Sequence, residues 1–410
     1  MSNVEMNFMY RIIIFLILVN SQPVFSQTQP IQIKTDLAYF SERFLSVKNK
    51  HRYSSKNITK LGLKYDKKNL SSLLSLNYNQ DDSYTLDGSY LQYTTGITTF
   101  GVGSIDRNWS FSDNTSLILS HNARPTQSIY LKLENKFNYA WLPSEANWSF
   151  EAFNGINENA LNNTSSMLTG VRAILAPTEG LQFELVQTSQ WAGKGHSSGI
   201  SSLGAALFFD TNAGSNSTIN KMAGFGISYL IPNEKIPLRI YGQAIGEDEA
   251  GYLPSCYSYL AGVELSNTKI KYPVIVGLET IDTRIDTTAH KNCGPNTMYN
   301  NNTYNYINYG KTMGTAIDTE GTSLSLYVRS QISKEINIEF TTKSVLINDN
   351  NWSGHRLSSN RQSGLINSIG ISRIKNNIIL YGNIYNQSFN LDKANIKSGY
   401  GVGFSSSILF

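Results

Sequence analysis

From about residue 58 to the C-terminus, apolar and polar residues alternate with a period of two over many short stretches. A strand with one face on lipid or core and the other on water produces that pattern. The final stretch shows it best. Tyr400, Val402, Phe404, Ile408 and Phe410 share one face, Gly401, Gly403, Ser405 and Ser407 share the other, and only Ser406 breaks the apolar row. Comparable runs carry Leu61, Leu63 and Tyr65; Leu74, Leu76 and Tyr78; Leu181, Phe183 and Leu185; Ile336, Ile338 and Phe340; and Ile378, Leu380 and Tyr385. Turn signals such as Asp66-Lys67-Lys68-Asn69, Pro177-Thr178-Glu179-Gly180 and Lys375-Asn376-Asn377 separate the runs, so neighbouring strands form short hairpins.

The texture stays uniform. No Pro-rich, Ser/Gly-rich or charged linker interrupts it, so one closed sheet over residues 56–410 explains the chain better than several domains. Roughly 350 residues at about 20 per membrane strand with its share of connections give on the order of 16 to 18 strands. The fold class is therefore all-β, a transmembrane antiparallel β-barrel. A soluble sandwich, propeller or β-helix accounts for neither the terminal aromatic strand nor the 24 tyrosines, which suit the two membrane interfaces.

The N-terminus points to export. Arg11 precedes an apolar run at residues 12–19, and Pro23 with Val24-Phe25-Ser26 reads as a cleavage site, making residues 1–26 a signal peptide. The run is shorter than the about 20 residues that a spanning helix needs. Residues 27–55 read as a short periplasmic extension or plug, with a brief helix over residues 38–47. Two long irregular stretches follow later, residues 193–220, whose Ser, Gly and Asn suggest mobility, and residues 283–321, whose Asn and Tyr suggest order and binding.

Charge and chemistry narrow the function. The net charge of +4 is dispersed, with 34 basic against 30 acidic residues, and gives no basic face for nucleic acid. Cys256 and Cys293 meet an oxidising compartment after export, as a disulfide or as two independent thiols. No His stands at ligand spacing from either, so no zinc site, metal or other cofactor is expected. Of five histidines only His121 lies in a patterned motif, and Glu247 with Glu249 as an acid/base pair has no other support. The chain reads as no enzyme, with no catalytic residue. Asn-X-Ser/Thr matches at Asn57, Asn69 and Asn108 are chance products of an Asn-rich chain.

Several segments carry a resemblance. Asp106-Arg107 is followed by Trp109, then by Ser116 to Ser120 and by Asn122-Ala123-Arg124-Pro125. Phe150-Glu151-Ala152-Phe153 with Gly155 comes next, then Gly246-Glu247-Asp248-Glu249-Ala250-Gly251 with Leu253-Pro254-Ser255, and finally a run with Tyr304, Tyr306, Tyr309, Gly310, Gly314 and Asp318. In kind and order these resemble the Wzi family of capsule assembly proteins over most of the mature chain. The likeness implies 18 strands, the outer membrane of a Gram-negative bacterium, and a lectin-like barrel that binds and anchors capsular polysaccharide or exopolysaccharide. Further partners are outer-membrane lipid and the barrel assembly machinery, whose C-terminal aromatic signal Phe410 resembles. Departures are Trp109-Ser110-Phe111-Ser112, where the family has Trp-Gly-Pro-Gly, Lys311 where it has Arg, and a shortened helical N-terminal region. They bear on sugar specificity and on any periplasmic plug.

The resemblance makes Asp106, Arg107, Trp109, Asn122, Arg124, Glu247, Asp248, Glu249, Tyr304, Tyr306, Tyr309 and Asp318 the candidate polysaccharide-binding residues. Arginine forks fit uronate carboxylates or phosphates, aromatic faces stack on sugar rings, and the amides of Asn300, Asn301 and Asn302 read hydroxyls. An alternative stands beside this: Glu247, Asp248 and Glu249 neutralise Arg107, Arg124 or Arg172 across the lumen and brace the wall. A solute channel is the competing function.

Overall fold

The computed structural model describes residues 31–45, 56–79, 83–137, 146–159, 164–208, 219–231, 233, 236–250, 253–267, 270–285, 293–301 and 303–410. Residues 1–26, expected to be a signal peptide, lie outside them. The strands are β1 (Ile31–Phe40), β2 (Asn57–Lys67), β3 (Leu70–Asn79), β4 (Ser83–Thr85), β5 (Tyr90–Thr95), β6 (Thr98–Gly103), β7 (Gln127–Phe137), β8 (Ala146–Asn159), β9 (Thr164–Ala176) and β10 (Leu181–Trp191). After helix α1 (Ile200–Phe208) come β11 (Asn220–Ile231), β12 (Leu238–Ala250), β13 (Leu253–Asn267), β14 (Val274–Asp282), β15 (Ile307–Asn308) and β16 (Lys311–Thr312). The chain ends with β17 (Thr322–Gln331), β18 (Ile336–Ile347), β19 (Gln362–Lys375), β20 (Ile378–Gln387) and β21 (Gly399–Leu409).

Every wall strand pairs antiparallel with its neighbours. The last meets the first, from Lys34↔Leu409 to Phe40↔Gly403, so the sheet closes. β15 and β16 form a separate hairpin, and of the 19 strands in the large sheet the three-residue β4 touches only β3, leaving a wall of 18 among the described residues. Closure is what lets strands cross lipid, because it leaves no edge of unpaired N–H and C=O groups. Alternation then sorts the side chains: on β10, Leu185 is 65% exposed on the outside while Glu184 is 1% exposed within.

One expectation fails at the start of the chain. Residues 31–40, assigned above to an extension ending in a helix, are the seam strand: Ile31 and Ile33 face outward, while Lys34 and Asp36 turn inward and pair at 3.2 Å. Its charged inner face concealed the alternation. Residues 46–55 lie outside the described residues.

The start of β1, the end of β21 and the tight turns share one rim. Lys68-Asn69, Gly96-Ile97 and Asn376-Asn377 each open on a residue at positive φ (50°, 55° and 51°), as two-residue hairpins require. The opposite rim carries the long connections, which in such barrels face the cell exterior. Two of these, residues 104–126 and the described residues 293–301 and 303–321 of the second, fold back into the lumen and bury Trp109, Leu117, Ile118, Tyr299, Tyr306 and Ile317 in one core with the inner wall. The Tyr299 hydroxyl donates to Leu117 O at 2.7 Å, and a disulfide joins Cys293 of the second segment to Cys256 on β13, with Cα atoms 5.3 Å apart. That settles the alternative left open for the cysteines.

A repeated device stiffens the wall. An inward tyrosine lies flat over a glycine directly across on the next strand, and its hydroxyl reaches an acceptor one strand further. Tyr130 crosses Gly101 to Gln92 (3.0 Å), Tyr241 crosses Gly262 to Glu279 (2.8 Å), and Tyr327 crosses Gly277 to Glu264 (2.6 Å). Any Cβ at Gly277 would stand 2.1 Å from the Tyr327 ring, and at Gly262 2.2 Å from that of Tyr241. Gly277→Val is therefore expected to cost about 1–3 kcal/mol, seen as earlier loss of the compact, fast-migrating form when samples are heated before gel electrophoresis. Gly382→Val, where a Cβ meets only Gly403 O at 3.9 Å, is expected to leave that temperature unchanged.

Candidate functional site

Residues 104–126 form no strand because their serines bond locally. Ser110, Ser112, Ser116 and Ser120 each accept, through Oγ, the N–H two residues on, at 2.7, 3.0, 3.1 and 3.0 Å. Such turns compete with a ladder and bend the chain. The tip of the segment reaches deep into the barrel, where Ser112 donates to Glu279 and Arg329 donates to Asn114 at 2.8 Å. Returning, it runs beside the second lumenal segment, with Ser120 N donating to Met313 O at 2.8 Å and Asn122 Nδ2 to Thr312 O at 2.8 Å.

Between the descending and ascending limbs lies an open cleft, edged by Asp106, Arg107, Ser120, Arg124, Phe153 and Met313. Asp106 is exposed on it. Arg124 grips Asp87 with two bonds of 2.9 and 3.1 Å, and its guanidinium lies 3.7 Å over the ring of Tyr309. Tyr309 holds a φ of 48° beside Gly310 and stays 39% exposed. Asp106, Asn122, Arg124 and Tyr309 thus converge near the exterior rim, although the first and the last stand far apart in the sequence.

Most of the remaining candidates are buried. Arg107 is buried, donating to Glu151 at 2.8 Å and Ser128 at 3.2 Å, with the Phe153 ring 4.0 Å beneath it. Trp109 is 1% exposed and packs edge-on against Phe153. Tyr304 donates to Ala192 O, and its buried hydroxyl is pushed up to about 12 by desolvation. Tyr306 shares a 2.8 Å hydrogen bond with Thr188 and stacks on Tyr299. These rings hold the lumenal segments together and present no face to a polymer.

The acidic partners differ from those expected. Arg107, Arg124 and Arg172 pair with Glu151, Asp87 and Glu184, whereas Glu247 accepts the Tyr299 N–H at 3.1 Å. Asp248 and Glu249 stand on β12 opposite Ser255 and Pro254, and the role expected of their side chains lies outside the described residues. Asp318 is buried and paired with Arg356, which also donates to Asn300. Burial pushes the Asp318 carboxyl up, but the guanidinium outweighs it and holds the group below its ordinary value. Asn301 accepts the Thr303 N–H at 2.8 Å, so the asparagines brace their own loop; Asn302 lies outside the described residues. Asp87 and Arg356 went unnoticed in the sequence, and Glu151, quoted within the Phe150–Phe153 segment, was not read as an ion-pair partner. Only an inward position on an alternating strand could have flagged Glu151.

His355 links a third long connection to this assembly. Its Nε2 bonds Thr319 O at 3.0 Å and its Nδ1 accepts the Leu357 N–H at 3.1 Å. Burial lowers its pKa; Asp318 opposes the shift, and Arg356 and Lys393 add to it. Among the described residues no group of three or more His, Cys, Asp or Glu is placed to hold a metal ion.

Comparison with known proteins places this geometry. Residues 26–377 match the family model described as capsule assembly protein Wzi. An uncharacterised 55.8 kDa protein in the cps region of Klebsiella pneumoniae is 28% identical over 190 residues, which cover 44% of this chain and 37% of that protein. The match thus spans little more than a third of that relative. Among solved structures, Escherichia coli Wzi, an outer membrane protein involved in group 1 capsule assembly and a carbohydrate-binding β-barrel, superposes with a TM-score of 0.77 at 20% identity, over 97% of this chain and 91% of that one. Pseudomonas aeruginosa OccK3 gives 0.52 at 9% identity, covering 93% and 95%. At such identities these likenesses speak to the fold, an 18-stranded barrel of the outer-membrane type.

Two outcomes follow from the braces. Arg107→Ala, which takes from the Glu151 carboxylate its 2.8 Å partner, is expected to cost about 3–5 kcal/mol in thermal unfolding. The folded pKa of His355 lies below the ordinary 6.5, so its contribution is complete above that pH and is lost as the pH falls through the lowered value. Protease cleavage within residues 348–361 should therefore rise as the pH drops below 6.5, and His355→Gln should remove that dependence.

Proposed function

The chain belongs to the capsule assembly protein Wzi family, and we propose that it is a lectin-like barrel of the outer membrane that binds and anchors capsular polysaccharide or exopolysaccharide at the cell surface. The observation that carries this reading is the combination of a lumen packed with the chain's own loops and a cleft at the exterior rim edged by Asp106 and Arg124, with the Tyr309 ring against the Arg124 guanidinium. A carboxylate, a guanidinium and a half-exposed phenol ring supply the hydroxyl-accepting, anion-binding and stacking groups that sugar recognition uses. Arg107, Trp109, Tyr304, Tyr306 and Asp318 serve this surface indirectly, by holding the loops that present it.

No catalytic step is assigned. The one patterned histidine, His121, stands beside the rim residues, and the buried His355 is committed to loop contacts. Passage of solutes is the competing role, and the filled lumen argues against it. At the closing seam the C-terminal Phe410 exchanges backbone hydrogen bonds of 2.7 and 3.2 Å with Ile33, a paired end suited to recognition by the barrel assembly machinery.

The test is retention of labelled polysaccharide from the host's own surface by the purified barrel. Tyr309→Ala and Asp106→Ala are each expected to weaken it about tenfold, equivalent to ~1.4 kcal/mol, with unchanged thermal unfolding, and the parent is expected to pass no steady current in a planar bilayer. Undiminished retention by both variants, or a large steady conductance, would overturn the proposal.

A further inference from the structure

Residues 193–220, expected to be mobile, contain α1, and α1 lies on the outside of the barrel. The strand pattern fixes that side. On β10, Glu184, Val186, Thr188 and Gln190 turn into the lumen, where Thr188 meets Tyr306 and Gln190 donates to Asn305 O at 3.1 Å. The alternating Gln187, Ser189 and Trp191 therefore face outward. Ser189 donates to Ala206 O at 2.6 Å, and Gln187 donates to Ala206 O and Leu207 O at 3.1 Å each. Trp191 packs with Ala205, Ala206 and Ile219 in a small apolar cluster separate from the lumenal core.

Each partner supplies what the other lacks. Polar side chains on the outer wall are costly against hydrocarbon, and the last carbonyls of a helix find no N–H donor within it. Docking α1 satisfies both. What the helix then turns away from the wall is uncharged and mainly apolar: Ile200 is 91% exposed and Phe208 77% exposed, with Ser201 the one exposed polar residue of the nine. That surface continues the lipid-facing band of the wall, where Leu185, two residues before Gln187, stands opposite Phe225.

We propose that α1 is a membrane-facing helix seated in the outer leaflet, with Ile200 and Phe208 among lipid acyl chains. Its level follows from its seat on Gln187, Ser189 and Trp191, the last residues of β10 at the long-loop rim. Lipid is the occupant because the face is small and continuous with an established lipid contact. A nine-residue helix is about 14 Å long, too short to supply the roughly 800 Å² per partner of a stable dimer. The anchor is also tied to the lumenal assembly, since Ala192, next to Trp191, accepts the Tyr304 hydroxyl.

Phe208→Trp and Ile200→Trp, each made in the mature full chain and reconstituted into vesicles whose phospholipids carry bromine on their acyl chains, test this. The emission that each variant adds to the parent's is expected to be blue-shifted, quenched by the brominated chains and insensitive to iodide, with heat-dependent gel migration as in the parent. Added emission that is red-shifted and quenched by iodide would place the helix in water and overturn the proposal. So would emission shielded from both quenchers together with cross-linking into dimers, which would make a second copy the occupant.

Discussion

A backbone amide or carbonyl in hydrocarbon must be bonded within the protein, and a sheet achieves this everywhere only by closing. Much of this molecule follows from that constraint. The seam between β1 and β21 is the last condition to be met, and it is met by a strand whose inner face carries Lys34 and Asp36. Once the sheet is closed, every side chain is committed to lipid or lumen. An 18-stranded cylinder encloses more space than wall side chains alone can fill, and here the long connections fill it, bringing serine turns, buried tyrosines and a disulfide into the interior.

Filling a polar lumen with polar chain demands that the charges be paired. Arg107 with Glu151, Arg172 with Glu184 and Arg239 with Glu264 place guanidinium forks against carboxylates along the inner wall, and Arg356 does the same for Asp318 between loops. Such pairs add little net stability but lose much when halved. Most of the motif residues are therefore best understood as the frame that positions a few exposed groups, and the family signature around Arg107 and Trp109 marks a folded support more than a contact surface.

The sequence made the strands legible wherever one face was continuously apolar, as on β10 and β21. It hid β1, whose outer residues Thr35, Leu37 and Tyr39 alternate with charged or small ones over only ten positions. The long loops were visible as interruptions, and of the tyrosine-dense stretch the described residues Tyr299 and Tyr306 are packed in the lumenal core. Partners were not visible, because Arg124 meets Asp87 and Asp318 meets Arg356 through three-dimensional closure and not through spacing along the chain. The same limit concealed α1: its uncharged, Gly-containing sequence is a weak helix former alone, and Gln187, Ser189 and Trp191 on the wall give it a place to dock.

The tyrosines that cross glycines have a consequence for the girth of the cylinder. Sliding one strand by two residues past its neighbour keeps every side chain on its proper face, so alternation alone does not forbid it. Such a slip changes the shear, and with it the tilt and diameter of the barrel. Here a slip between β12 and β13 would drive Tyr241 onto a side-chain-bearing residue and pull its hydroxyl away from Glu279. The phenol bars act as a vernier that admits one stagger, and thereby one internal bore for the loops to fill.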